Sequence, residues 1–327
     1  MAGKRHSEHR AGVSRCFLCG ARLWDAAGRD LSWGERVRPF AFACGSCGLL
    51  VDDPAAGAPS RAHLGRALKP GLIACEPDAP YGFDAYTLRS AATLHGLWAE
   101  PMGEAQAEAL RQPHSPLPGA AHLRALTDGP SAPISLAILC RVAERDAALG
   151  LAEAARLWCD DVMILLDGEG AGEDRPGLSL RHRPLAGHFA AQRNAAQDMA
   201  RHDWVLQLDA DETLEEGVAE VLPYLVGAVG PDVVSIGLRR ANRVDGVLAD
   251  LYPDTQYRLN RRSVRYENPV HERPARPWQR SLLFLGGGIG HHLGRAHVEA
   301  RSHRYEAMTP GGGRLFEESE LLRPYEA

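Results

Sequence analysis

The chain is expected to be an α/β protein: a mostly parallel sheet flanked by helices, preceded by a small four-cysteine module. Three observations carry this expectation. From Ile134 onward, short apolar runs alternate with helix-like segments, the pattern of a parallel sheet covered by helices. Near the N-terminus stand two pairs of cysteines, each with two residues between its members, a spacing that suits a single tetrahedral metal ion. Acidic residues gather where two of the apolar runs end, and in open α/β sheets ligands bind at the carboxyl ends of the strands.

Composition bounds the class. The 327 residues carry a net charge of −5, with 45% apolar and 24% charged residues, an ordinary globular balance. No broad positive field exists to hold nucleic acid, so nucleic acid is not an expected partner. No run approaches the roughly 20 apolar residues of a membrane-spanning helix. Met1–Arg15 is basic and polar without an apolar core, which reads as a loose tail rather than a secretory signal. Seven cysteines, four of them paired in spacing, fit a reducing compartment with a metal site better than a disulfide framework. A cytoplasmic protein is expected, with contact to a membrane surface left open.

Residues 1–54 form the cysteine module. Cys16-x-x-Cys19-Gly20 and Cys44-x-x-Cys47-Gly48 are two knuckles whose glycines permit tight turns. Four thiolates close a tetrahedral site with no open position, so a structural Zn²⁺ is expected there, as in a zinc ribbon. Cys75, Cys140 and Cys159 have no matched spacing and read as small core residues. Residues 55–133 are rich in Ala, Pro and Gly, with helix-like pieces at Ala85–Trp98 and Gly103–Arg111 broken by Pro113, Pro116 and Pro118; they read as a linker with helical pieces.

Residues 134–308 form the larger domain. Ile134–Leu139, Val162–Leu166, Leu178–His182, Trp204–Leu208, Val233–Leu238, Gln256–Leu259 and Ser281–Leu285 read as strands. Val142–Trp158 and Phe189–Arg201 read as helices. Thr213 with Glu216 forms a capping box expected to open a further helix. Gly286–Gly290 matches no nucleotide-binding fingerprint and reads as a flexible turn. Arg295–Arg304 is a helix end facing phosphates or a solvated basic face. Residues 309–327 form a tail, flexible at Gly311–Gly313 and then weakly helical.

The chemistry centres on Asp209-x-Asp211 after an apolar strand. Alternate residues of an extended chain point to one side, and two such carboxylates can hold one hard cation, Mg²⁺ or Mn²⁺. A cation there would bridge a diphosphate and neutralise charge on a leaving group. The same pair also fits a solvated acidic turn.

The surrounding residues resemble family 2 glycosyltransferases. The resemblance rests on Phe189-Ala-Ala-Gln-Arg193-Asn194-Ala followed by Asp203-Trp204-Val-Leu-Gln-Leu-Asp209-Ala-Asp211-Glu212. It extends to Ile134–Arg141 as first strand, Asp160–Asp167 as second and Val270-His271-Glu272 as a later segment. It implies a GT-A fold, a nucleoside-diphosphate sugar donor and a divalent metal. Carried over by position, Asp167 would contact the nucleoside and Asp209 the ribose or metal. Asp211 would bind the metal, and Arg193 would lie near the donor phosphates or brace the site through a salt bridge. Glu212 would be a neighbouring partner or a helix N-terminal acid. Glu272 is the candidate base for the acceptor hydroxyl, or else a loop carboxylate pairing with Arg273 or Arg276, with His271 beside it. The family's late histidine, which completes the metal's ligands, corresponds to His292 or its neighbour His291.

Two departures stand out. Arg141-Val-Ala-Glu144 replaces a short Asn-Glu pair, and Asp167-Gly-Glu-Gly-Ala-Gly172 replaces a turn with Ser and Thr. The expected activity is metal-assisted, inverting sugar transfer to a glycan, lipid, protein or small-molecule acceptor. A nucleotidyltransferase and an inactive transferase-like scaffold are the alternatives.

Overall fold

The computed structural model describes residues 14–112, 114–308 and 315–326. Most of the expected N-terminal tail, Pro113 and the glycines 311–313 lie outside the described residues. Two compact units divide the chain at Asp128 and Gly129.

The first unit contains, in order, β1 Trp24–Ala26, β2 Asp30–Trp33, β3 Arg36–Pro39, β4 Phe42–Cys44, β5 Leu50–Val51, α1 Gly57–Ala67, β6 Gly71–Ala74, β7 Tyr81–Gly82, α2 Ala85–Ala92, β8 Leu97–Pro101, α3 Glu104–Ala109 and β9 Ala120–Ala125. Its sheets are β1-β4-β5-β7, the hairpin β2-β3 and β6-β9-β8. The segment read as a linker over 55–133 therefore carries three helices, all of the β6-β9-β8 sheet and one strand, β7, of another. In β9, buried Ala121 and Leu123 alternate with exposed His122, and Ile73 and Leu97 are buried with them. Strands this short, and this rich in alanine, leave little periodicity to read. The helix expected over Ala85–Trp98 stops at Ala92. After one 3₁₀ turn, Gly96 takes a left-handed φ of 66° and redirects the chain into β8.

The second unit contains β10 Ile134–Arg141, α4 Arg145–Ala155, β11 Val162–Asp167, β12 Glu173–Arg175, β13 Leu178–His182, α5 Phe189–Met199, β14 Trp204–Asp209, β15 Glu212–Leu214, α6 Val218–Ala228, β16 Ser235–Val244, β17 Val247–Leu248, β18 Gln256–Arg261, β19 Tyr266–Glu267, β20 Arg273–Pro274, β21 Ser281–Leu293, α7 Arg295–Met308 and α8 Leu315–Leu322. Ten of these strands form one sheet in the order β12-β13-β11-β10-β14-β18-β16-β21-β15, with β17 on β16. The strands β13-β11-β10-β14 are parallel. Antiparallel joints at β14–β18, β18–β16 and β21–β15 make the whole sheet mixed rather than mostly parallel.

The apolar runs become strands because both of their faces are covered. On one face Ala137, Leu139, Met163, Leu165 and Val205 pack with Ala196 and Ala200 from α5 and the turn after it. Along α4, Ala148, Ala152 and Ala155 are buried, and this helix packs on β10 and β11. Each large aliphatic side chain so buried stabilises the fold by roughly 1.5–3 kcal/mol. The segment after residue 314 is a packed helix rather than a tail: Leu321 joins Val244, Ala249, Leu293 and Val298 in a second cluster. Among the described residues, no helix is long and apolar enough to cross a membrane.

Two sequence signals resolve differently. Thr213 does not cap a helix; it lies in β15, where Glu212 pairs with His291 and Thr213 with Gly290 of β21. Helix α6 begins only at Val218, after Gly217 at φ 76°, so sheet pairing overrides the local capping signal. Nor is Gly286–Gly290 a flexible turn. It lies within the continuous strand β21, which pairs in parallel with β16 through an irregularity at Leu238/Arg239. A β-carbon on Gly288 would fall 2.0 Å from the Arg239 carbonyl oxygen, so the strands approach more closely than any side chain allows. Gly288→Ala should therefore destabilise the second unit by roughly 1–3 kcal/mol or more, seen as a lowered thermal midpoint by circular dichroism.

Candidate functional site

The first unit gathers Cys16, Cys19, Cys44 and Cys47, all buried, with their sulfurs within 4.8 Å of one another. The Sγ atoms of Cys16 and Cys47 are 3.7 Å apart, and those of Cys19 and Cys44 are 3.6 Å apart. A tetrahedron with metal–sulfur bonds of about 2.3 Å has edges of about 3.8 Å, so these sulfurs can close around one ion with little adjustment. Gly20 and Gly48 follow the knuckles at φ 88° and 84°, the left-handed turn that glycine permits. The cysteines outside the cluster are buried. Burial pushes the Cys75 and Cys159 thiols up to about 11 and that of Cys140 up to about 12. All three are protonated near neutrality and unsuited to nucleophilic work.

The second unit holds a cleft of about 370 Å³ lined by Asp167, Arg193, Asp209, Asp211, Glu272 and His291, among others, a size suited to a small-molecule ligand. Strand register places its acids. Leu139 of β10 pairs with Asp209 of β14, and Arg141 with Asp167 of β11. The strands thus end together and deliver their terminal acids to one edge of the sheet. Asp211 follows in the turn between β14 and β15 rather than on the strand itself.

Helix α5 delivers Arg193, almost fully buried, beneath that edge. Its Nη2 donates to both carboxylate oxygens of Asp209 at 2.9 and 3.1 Å, and its Nε donates to Glu272 Oε1. Arg193 is thus the internal brace, not a group open to phosphate. The neighbouring Asn194 docks the segment that leads to Glu272. Asn194 Nδ2 donates to the Tyr266 carbonyl at 3.0 Å and its Oδ1 accepts from the Tyr266 amide at 2.8 Å, imitating a strand pair. The following loop takes left-handed φ values at Asn268 (77°) and His271 (51°), a strained course for the histidine that these clasps hold in place.

Sequence reading missed the other half of the network. Arg258 of β18 donates to Asp209 Oδ2 at 3.0 Å. Arg240 of β16 donates to the fully buried Glu212 at 2.8 Å and to Asp254 at 3.0 Å. Glu212 Oε2 also accepts from the Asp209 amide at 3.0 Å. The available signal was Gln256-x-Arg258-x-Asn260, a polar face within a strand whose residues are otherwise apolar or outward-facing. Burial opposes ionisation of these acids, but the arginines win. Arg193, Arg258 and Arg240 hold Asp209 well below the usual carboxylate range; Arg240 does the same for Asp254. Arg193 and Arg258 lower Glu272, which weakens it as the general base expected from sequence.

Asp211 differs. Its Oδ2 lies 3.4 Å from His291 Nε2. His291 Nδ1 lies 2.7 Å from Asn242 Oδ1, and Asn242 Nδ2 donates to the Leu251 carbonyl at 3.1 Å and to Asp254 at 3.3 Å. That amide orientation, assigned from its partners, requires Nδ1 to carry hydrogen. Nε2 then faces the Asp211 carboxylate. Burial opposes ionisation of Asp211, and His291 lowers its proton affinity. The expected position of His292 in the cleft is taken by His291. The His292 ring turns outward to Thr213 Oγ1 at 3.1 Å, because adjacent residues of β21 face opposite sides.

A divalent cation was expected between Asp209 and Asp211. Asp209 already accepts from Arg193 and Arg258, whereas Asp211 faces His291. Among the described residues, the four cysteines are the group of three or more potential ligands that closes to within 4.8 Å. Asp167 uses Oδ1 to accept from the Leu185 amide at 2.8 Å and lines the cleft on the β11 side. Glu144 does not face the cleft as a free acid, because it pairs with Arg141 and accepts from the Arg141 amide at 2.9 Å.

No protein-family model matches the sequence, and no curated protein is similar to it. Among solved structures, residues 1–349 of S. aureus TarS superpose with a TM-score of 0.31 at 10% identity, over 53% of this chain and 64% of that one. A mycobacterial protein superposes with a TM-score of 0.27 at 15% identity, over 49% of this chain and 66% of that one. The chain thus spans less than two thirds of either protein. Superpositions this loose establish neither a shared fold nor a shared chemistry.

The depressed carboxylates set the acid limit of the second unit. A group whose folded value is lowered contributes stability that is fully present above its unfolded value of about 4 and is lost as pH falls toward the folded one. Stability should therefore be flat above about pH 5 and fall steeply below about pH 4. Asp254→Asn should lower stability at neutral pH and make the acid loss shallower, measured by urea unfolding across pH.

Proposed function

We propose that the second unit is a glycosyltransferase that moves a sugar from a nucleoside-diphosphate donor to a hydroxyl acceptor with inversion. The observation that carries this reading is the pairing of Asp211 with His291 at the strand-end cleft, above a floor where the other acids are paired with arginines. It is joined by the resemblance of residues 189–212 to family 2 glycosyltransferases. In this reading Asp211 and His291 would hold a divalent cation, which would supply positive charge against that of the departing diphosphate. Asp167 meets the nucleoside from the β11 edge. Asp209 is not a ligand; with Glu272 it holds Arg193 in place and so fixes the height of the cleft floor. The acceptor hydroxyl enters from the side lined by His271 and Arg273; its oxygen bonds to the anomeric carbon as that carbon's bond to the diphosphate breaks, and its proton passes to the Glu272 carboxylate. We propose further that the four cysteines of the first unit hold a structural Zn²⁺.

The test is a panel of nucleotide sugars with Mn²⁺ or Mg²⁺, read by thermal shift. A donor at a hundredfold excess over its Kd should stabilise the protein by about 2.7 kcal/mol, and only when the metal is present. Asp211→Asn should abolish that shift while keeping the melting point of the free protein close to wild type. If no donor stabilises the protein with any divalent metal, or if Asp211→Asn responds like wild type, the reading is wrong.

A further inference from the structure

Four thiolates around one divalent ion form a centre of net charge −2, and here the centre is buried: Cys16 and Cys19 are 0% exposed and Cys44 and Cys47 at most 5%. Uncompensated buried charge is costly, so such a centre calls for a nearby cation. Arg29 stands at the second knuckle. Its guanidinium donates to the carbonyl of Gly48, next to Cys47, and lies 3.8 Å from the carboxylate of Asp84, whose side chain is 1% exposed. Arg29 Nε and Asp84 Oδ2 have no hydrogen-bond partner of their own, so this pair is held by charge and position rather than by a saturated network.

The same knuckle is gripped from α2. Asp84 caps that helix by accepting from the Thr87 amide at 2.8 Å, and Thr87 Oγ1 donates to the Cys47 carbonyl at 3.2 Å. The carbonyls of Cys47 and Gly48 are therefore held by one residue of α2 and by the partner of its cap. Packing is close: a β-carbon on Gly48 would lie 2.8 Å from Thr87 Oγ1 and 3.4 Å from an Arg29 nitrogen. Helix α2 is buried along all eight of its residues and packs on β8 and β9. Just ahead of it, β7 pairs with β5, which leads from the second knuckle.

We propose that Arg29 is the charge partner of the metal–thiolate centre. Through Asp84 and Thr87 it couples metal occupancy to the seating of α2, so metal loss loosens the β8–β9 layer and not the knuckles alone. When the metal leaves, the four sulfurs are no longer tied to one another. The turn at Cys47–Gly48 then has no cross-link to hold its carbonyls against α2.

The experiment uses the full chain loaded with Zn²⁺, with affinity from competition against a chromogenic chelator and local order from hydrogen exchange. Arg29→Ala should weaken Zn²⁺ binding by about 10–100-fold, as loss of a partner outside the ligand set does, and Arg29→Lys should recover part of it. Chelation of wild type should speed exchange over residues 81–101 and leave residues 134–141 and 204–209 unchanged. Thr87→Val keeps the charges and the shape, and serves if Arg29→Ala does not fold; it should speed exchange in α2 with Zn²⁺ still bound. Unchanged Zn²⁺ affinity in Arg29→Ala, unchanged α2 exchange on chelation, or wild-type exchange in Thr87→Val each overturns the coupling. Failure of wild type to bind Zn²⁺ overturns the site itself.

Discussion

The second unit depends on a buried chain of alternating charge: Glu272, Arg193, Asp209, Arg258, Glu212, Arg240 and Asp254. Its members come from α5, β14, β15, β16, β18 and the loops before β18 and β20. Each internal charge is flanked by two of opposite sign, so none is left uncompensated in a poorly solvated place. The interaction is positional as much as energetic. It fixes where strands that run in different directions end relative to one another, and it does so at the floor of the cleft. Asp211 stands apart from the chain, facing an imidazole instead of a guanidinium. A rigid floor in which arginines alternate with acids, beneath one differently paired acid, is the arrangement that a charged ligand could exploit.

Much of this was legible before any coordinates. The apolar runs at 134–139, 162–166 and 204–208 became β10, β11 and β14 because burial on both faces leaves uninterrupted hydrophobic sequence. The acids at their ends could be located by the same reasoning. The partners of those acids were hidden. Arg240 and Arg258 lie far along the chain on antiparallel strands, and a lone arginine in a strand does not announce which carboxylate it will meet. Arg193 and Asn194 were visible as a motif. Their division of labour, one bracing Asp209 and the other clasping Tyr266, is a property of three-dimensional pairing. Thr213 illustrates the opposite failure: a sound local capping signal lost to a strand that happened to lie alongside.

In the first unit the knuckles were readable because thiolate spacing is a strong chemical constraint. The helices and sheets downstream were not. Their strands are two to six residues long, and their small residues carry weak hydrophobic contrast. What ties them together is side-chain contact at single atoms, such as Thr87 on the Cys47 carbonyl, and no periodicity reports that.

The glycine-rich stretch of β21 has an effect beyond easing two backbones past each other. Residues 285–287 have no counterpart on β16, since Leu238 lies opposite Phe284 and Arg239 opposite Gly288. The count of extra residues is odd, so it inverts which side chains of the remaining strand look inward. With the pairing as it stands, Asn242 lies opposite His291, and that imidazole reaches the acids. A slip of a single position would turn it toward solvent and swing its neighbour inward. Glycines that bear no functional group thereby select between two adjacent histidines.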